Sequence, residues 1–362
     1  MKNEINKKDN LTFIDMFCGC GGMSAGLRDA GLELLFGIDH DKPSLETYDH
    51  NFGKGKGVSI DLFSKNYLSE IEKKIVATNK ELDVVVAGPP CQGFSLTGPR
   101  NLDDPRNQLY LSVFGVVKKF KPKAFLIENV KGMKSMYEGK VVSEIVNRFT
   151  KLGYNVSDPR VLVAADYGVP QIRERLFIIG IRKDIGTFEF PKPTHTSDNY
   201  IGCKEAIGDL PSRNETFGHE FDNYSLKPFS EYQKYIRDGS NVLKNHVATK
   251  HTELVKSVIR QVPEGQNHKS LPPGVGETRK FNEAWTRYHS LKPSRTIDTG
   301  HRNHFHYQWD RVPTVRENAR LQSFKDTFEF VGARTQQNKQ VGNAVPPLLA
   351  FHLAKQILKV IK

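Results

Sequence analysis

Between Leu11 and about Ile181 short apolar runs alternate with segments of helical period, and this alternation constrains the fold more than any other feature of the chain. The runs are LTFIDMF, LELLFGI, GVSI, LDVVVAG, KAFLIENV and RLFIIGI. Among the segments between them, GMSAGLRDAG closes on Gly31, PSLETYDHNF opens on Pro43, and NQLYLSVFGVVKKF carries apolar residues at helical spacing. Strands alternating with helices imply βαβ units, right-handed crossovers and a mostly parallel, doubly wound α/β sheet. After Ile181 the texture changes. Residues 190–311 are rich in Pro, Gly, Asn and Ser and hold nine of the twelve histidines, which suggests a second, smaller and irregular domain. Helical period returns in TVRENARLQSF, and after an Asn/Gln-rich connection PPLLAFHLAKQILKVI reads as a final amphipathic helix.

Ligands of open α/β sheets bind beyond the carboxyl ends of the strands, so residues at those ends carry the functional reading. FCGCGG follows the first strand. Gly19, Gly21 and Gly22 allow a tight turn against a helix N-terminus, and Asp39 ends the next strand about twenty residues later, where a carboxylate can hold the hydroxyls of a ribose. An adenosine-type cofactor fits. An ordinary strand-to-helix turn with a solvated Asp is the plain alternative, and nicotinamide fits less well because the spacing is not a full G-x-G-x-x-G. Asp61 follows the third run and would face the same cleft. Cys18 and Cys20 are poorly spaced for zinc and read as small buried thiols.

In VVVAGPPCQGFSLTG, Pro89 and Pro90 cannot donate to a sheet ladder, so the strand stops there and Cys91 is held on a stiffened backbone. The polar stretch that follows looks like a lid. Glu128 ends the next run in IENV, on the same edge. A thiol nucleophile beside a proton-donating carboxylic acid suits conjugate addition to an electron-poor ring. Arg173 and Arg175 share a face if QIRERLF is extended, and two guanidiniums suit a phosphate or a carbonyl.

With these residues assembled, the chain resembles the bacterial DNA (cytosine-5)-methyltransferases through six ordered motifs: FIDMFCGCGG, GPPCQGFS, ENV, QIRERLF, TVRENARLQSF and QVGNAVPP. The resemblance covers all but about residues 190–290. It implies a Rossmann-like fold, S-adenosyl-L-methionine as cofactor, and a cytosine flipped out of duplex DNA at a specific short sequence. By the same resemblance Cys91 attacks C6 of that base, Glu128 binds N3 and the exocyclic amine, Arg175 meets the carbonyl, and Arg173 and Ser95 support the pocket. Phe17, Gly19, Gly21, Gly22, Asp39, Asp61, Pro89, Asn343 and Val345 fall on the cofactor side, and His40 stands where the family often has an aromatic stacker. Residues 1–185 with 338–362 become the catalytic and cofactor-binding domain, 186–311 the target-recognition domain and 312–337 the hinge. Arg279, Lys280, Arg287, Arg295 and Arg302 are candidates for DNA contacts. His301, His304 and His306 read as surface or DNA-facing groups, with no metal expected.

The charge of +12 and pI near 9.3 fit a polyanionic partner. Four cysteines without regular spacing, no apolar leader and no stretch approaching a membrane span suggest a soluble cytoplasmic protein, and a monomer is expected. A cognate restriction endonuclease is the natural companion of such an enzyme. A transfer RNA methyltransferase, a nicotinamide oxidoreductase and a non-catalytic DNA-binding module are the rivals. The first lacks its CFT-type signature here, and the other two leave Cys91 and Glu128 idle.

Overall fold

The computed structural model describes residues 10–90, 109–275, 284–300 and 302–362. Its central strands are β1 (Thr12–Met16), β2 (Glu33–Asp39), β3 (Gly57–Ser59), β4 (Val84–Ala87), β5 (Ala124–Val130), β6 (Tyr154–Val156), β7 (Arg160–Val163) and β8 (Glu174–Arg182). They lie in the order β3-β2-β1-β4-β5-β8-β6, with β7 also pairing β8. The first five are parallel, as the alternating pattern predicts. β8 runs antiparallel to β5, β6 and β7. The apolar run of β8 carries no signal of direction, so the sequence pattern does not reveal this reversal. It also does not single out β6 or β7, which are short and only partly buried.

Helices α1 (Gly22–Ala30), α2 (Lys42–Phe52), α3 (Tyr67–Thr78), α4 (Leu109–Phe120) and α5 (Lys140–Lys151) accompany the sheet. Successive residues of a strand point to opposite faces, and here both faces are covered. Phe13, Val84, Val86 and Leu126 share one core with Met23 and Leu27 of α1, whereas Ile14, Val85, Ala87 and Ile127 share another with residues of α3, α4 and α5.

The remaining helices are α6 (Cys203–Ile207), α7 (Glu231–Arg237), α8 (Glu253–Gln261), α9 (Val315–Leu321), α10 (Arg334–Asn343) and α11 (Pro347–Ile361). Two minimal strand pairs, β9 (Phe221–Asp222) with β10 (Leu243–Lys244) and β11 (Thr286–Arg287) with β12 (His304–Phe305), complete the irregular region. The Asn/Gln-rich connection is not a loop. It forms α10, because Gln340 is satisfied by the Thr47 hydroxyl and the Pro43 carbonyl of α2 while Gln337 bonds the Gly332 carbonyl. Long unbranched amides are compatible with helix when the tertiary environment supplies partners.

One stretch, Arg334–Ile361, does have the length and apolar content of a membrane span, contrary to the sequence reading. Its apolar face is buried in the protein: Leu349, Leu353 and Ile357 of α11 lie in the same core as α1. A Cβ on Gly26 would stand 2.2 Å from the Pro347 carbonyl, so α1 and α11 approach at a distance only glycine permits.

Candidate active site

The cofactor-side residues collect at the carboxyl edge of β1, β2 and β3. Phe17 and Gly19 both have positive φ, and Gly21, at φ 99°, caps α1. Gly22 packs against the far end of the sequence, where a Cβ would meet the Val345 carbonyl at 2.4 Å. Thus the first and last of the six motifs touch. Val345 is buried, and Asn343 is exposed at the end of α10. The Gln322 amide shapes this turn by donating to the carbonyls of Val341 and Ala344 at 2.8 and 3.1 Å.

Asp39 is the pivot of this half. Its carboxylate accepts from the backbone N–H of Gly19 at 2.8 Å, of His40 at 2.7 Å and of Asp41 at 2.9 Å, so the end of β2 is tied directly to the glycine turn. A carboxylate offers about four lone-pair sites, which leaves acceptor capacity for a diol. His40 is exposed beside it. Asp61 is exposed at the end of β3, where its side chain accepts from Phe63 N–H. A Cβ on Gly19 meets nothing within 4 Å, so the turn borders open space. Open space, a tight glycine turn and a fixed carboxylate fit an adenosine-bearing cofactor.

The second half lies on β4, β5 and β8. Gly88 N–H bonds the Met16 carbonyl, and Asn129 Nδ2 donates to the Pro89 carbonyl at 3.0 Å, which fixes the backbone where β4 ends. Cys91 and Ser95 lie outside the described residues. The Glu128 carboxylate sits above Gly88, whose Cβ would be 3.6 Å from Oε2, and is paired with Arg175 Nε at 3.0 Å. Burial pushes the Glu128 carboxyl above its usual range, while Arg175 and Arg173 pull it back. An acid held in this balance keeps its proton to a higher pH than an exposed carboxyl does.

The two arginines diverge in role. Arg175 faces Glu128, whereas Arg173 is only 2% exposed and donates to the carbonyls of Gly342 at 2.9 Å and Ile297 at 3.4 Å. Arg173 therefore joins the strand edge to α10 and to the irregular region. Gln171 joins the same edge to the end of α9 and to the irregular region by bonding Gln322 and Ile297. Sequence reasoning gave no role to Asn129, Gln171 or Gln322. All three stand inside motifs already quoted, so a polar residue within a motif was the available signal.

Two expectations are corrected. His304 and His306 are buried, not surface groups. His304 stacks on Tyr288, and His306 lies between Tyr307 and Trp309 with its Nδ1 accepting from two backbone N–H groups. Arg287 is likewise buried, ion-paired to Asp310 at 2.9 Å and bonded to the Ile259 carbonyl. Arg295 and Arg302 are exposed, whereas Arg279, Lys280 and His301 lie outside the described residues. Cys18 and Cys20 are buried thiols, as expected. Among the described residues no group of three or more His, Cys, Asp or Glu could hold a metal ion.

This architecture is the doubly wound fold of the S-adenosylmethionine-dependent methyltransferase class. The crystal structure of a DNA modification methyltransferase encoded within an E. coli prophage superposes with a TM-score of 0.80, at 26% identity over 97% of this chain and 99% of that one. The family model for C-5 cytosine-specific DNA methylase matches residues 11–359, and the chain belongs to that family as a DNA (cytosine-5-)-methyltransferase. Similar relatives include the Type II methyltransferase M1.HphI of Haemophilus parahaemolyticus, 39% identical over 97% of this chain and 87% of that protein. The Type II methyltransferase M.DdeI of Desulfomicrobium norvegicum is 36% identical over 96% of this chain and 88% of its own length.

Proposed function

We propose that this chain methylates C5 of a cytosine flipped out of duplex DNA at a specific short sequence, within a Type II restriction–modification system in the cytoplasm. The observation that carries the reading is the half-buried Glu128–Arg175 pair above Gly88, three residues before Cys91 in the sequence. S-adenosylmethionine, held by Phe17, the Gly19–Gly22 turn, Asp39, Asp61 and the Asn343–Val345 segment, would supply an electrophilic methyl group.

The Cys91 thiolate adds to C6 of the base, and the resulting electron density is taken up at N3, which receives the Glu128 proton. Arg175, beside Glu128, meets the base carbonyl. C5 is thereby nucleophilic and takes the methyl group. Water then removes the C5 proton, Cys91 leaves as thiolate, and the N3 proton returns to Glu128. Burial of Glu128 supports this assignment, since a carboxyl held up by desolvation is a competent acid. Residues 186–311 would select the DNA sequence and 338–362 complete the cofactor site. A monomer suits this division of labour, with a cognate endonuclease as genetic companion.

Duplex DNA containing 5-fluorocytosine should trap the protein covalently, because fluorine at C5 cannot leave as a proton. Cys91→Ala should abolish both trapping and transfer of labelled methyl groups while cofactor affinity survives. Undiminished trapping in that variant places the nucleophile elsewhere. Labelled methyl appearing on transfer RNA but not on duplex DNA would replace the substrate reading with its nearest rival.

A further inference from the structure

Beneath the cofactor edge lies a carboxyl group that the proposed chemistry does not use. Asp15, in the middle of β1, is 0% exposed, and its Oδ1 has no hydrogen-bond partner among the described residues. Its Oδ2 is 2.6 Å from the Ser24 hydroxyl of α1, which in turn is 2.7 Å from the Tyr48 hydroxyl of α2. Ser24 and Tyr48 are also fully buried. The backbone makes room for this chain: a Cβ on Gly37 of β2 would stand 2.5 Å from the Tyr48 ring and 2.8 Å from Cys18 Sγ. A carboxyl and two hydroxyls on three elements thus form one buried relay under the loop from Phe17 to Gly22 and near Asp39.

An ionised carboxylate in this place would have only Ser24 to donate to it, no cation and a second carboxylate nearby. Buried charges so placed take up protons instead. A neutral Asp15 still accepts from the Ser24 hydroxyl, which can in turn accept from Tyr48, so the chain of contacts persists without a buried charge. We propose that Asp15 is a positioning residue that acts in its protonated form, using the Asp15–Ser24–Tyr48 relay to hold β1, α1 and α2 in the spacing at which Asp39 and the glycine turn bind the cofactor. The inference rests on the reading of Asp39 as a cofactor carboxylate.

Burial, followed by the Asp39 charge and opposed by the Ser24 hydrogen bond, raises the Asp15 pKa to about 7. The other groups packed around it do not titrate in that range: burial pushes the Cys18 thiol and Tyr48 well up and the Cys20 thiol to about 12. Arg28 acts on Tyr48 from α1, and His40 is exposed beside Asp39. Ionisation of Asp15 places an unpaired charge in this dry site and repels Asp39, so the binding-competent fraction declines above neutrality.

The test is calorimetric titration with S-adenosylhomocysteine between pH 6 and pH 8. Wild-type affinity should fall about tenfold across that range, the decline expected when the competent fraction drops to roughly a tenth. Asp15→Asn, which keeps the shape and an N–H donor, should bind as the wild type does at pH 6 and lose this decline. The ligand is common to both proteins, so its own titration cancels in the comparison. An identical pH profile in Asp15→Asn overturns the proposal. Should that variant not fold, carbon-13 NMR of aspartate carboxyls in the wild type decides: one carboxyl titrating near neutrality, absent from no other assignment than Asp15, is the expected result, and every carboxyl titrating in the ordinary acidic range is the contrary one. Unchanged affinity in Asp39→Ala would sink the cofactor reading itself while leaving the Asp15 titration intact.

Discussion

The edge of the sheet and the irregular region from 186 to 311 solve the same problem by different means. At the edge, each functional side chain stands at a strand end, and its position follows from main-chain pairing and from apolar residues that alternate between the two faces of β1, β4 and β5. The irregular region has no long element to do this. It is pinned by buried polar contacts: Arg320 between Asp209 and Asp326, Arg311 on Glu317, Arg213 on Asp222 and Arg287 on Asp310. Apolar burial is non-directional and tolerates exchange among similar side chains. Ion pairs in a dry interior are directional and depend on both partners. The comparison teaches that the edge reads out in local motifs, whereas the second region depends on pairs far apart in sequence, such as Asp209 with Arg320.

The largest effect that could break this comparison is catalytic. Glu128→Gln keeps the shape of the side chain but not the acid, and steady-state methyl transfer should fall by about 10²–10⁴-fold. A loss below tenfold would mean that the strand edge does not concentrate the chemistry. Stability comes next. Arg320→Met leaves Asp209 and Asp326 buried without their shared cation, which should cost about 3–5 kcal/mol in urea denaturation. The exposed pair Lys256–Glu253 is the control, with Lys256→Met expected to cost under about 1 kcal/mol. Equal losses would erase the contrast between buried and exposed pairing.

Acid should attack the irregular region before the sheet. Burial pushes His246 down to about 4 and His306 to about 3, from an ordinary value of 6.5. The unfolded chain therefore binds more protons below pH 6.5, and stability is lost as pH falls from 6.5 towards 4. At 1.36 kcal/mol per unit, each histidine should remove about 2 kcal/mol between pH 6.5 and 5. His246→Gln, retaining a hydrogen-bonding side chain, should flatten part of this slope in denaturation measured against pH; an unchanged slope refutes the assignment. The smallest effect concerns Arg302, which is exposed. If it contacts a DNA phosphate, Arg302→Ala should weaken binding to all sequences and lower the slope of log affinity against log salt by about one. A loss confined to one base pair would instead make it a base-reading residue.

The sheet was legible because its information is local. Gly31 ends α1 with positive φ where the sequence places a cap, and the six apolar runs all become strands. The direction of β8 was not legible, since an apolar run bears no arrow. Arg173 and Arg175 look equivalent at spacing two, and only the fold separates one that faces Glu128 from one enclosed by Gly342 and Ile297. Asp15 sat unremarked within LTFIDMF, although an acid inside an apolar strand is itself a signal. The same holds for the stretch 312–337, where TVRENARLQSF has a surface-like composition. All seven residues of α9 are nonetheless buried, including Arg316, Glu317 and Arg320, because their partners arrive from residues 209, 311 and 326.

The contact between Gly22 and Val345 has a consequence in time. Roughly 320 residues separate these two halves of one turn. At a ribosomal rate of about 5–20 residues per second, the glycine turn exists for roughly 15–65 seconds before the segment that closes over it has been made. Throughout that interval the Gly22 and Gly26 surface of the nascent chain lacks its cover, and an internal stop codon between Arg182 and Val345 would yield a chain that holds the strand-edge residues yet lacks the segment that packs on the turn. Synthesis order, and not only folded geometry, therefore delays competence until Val345 has been made.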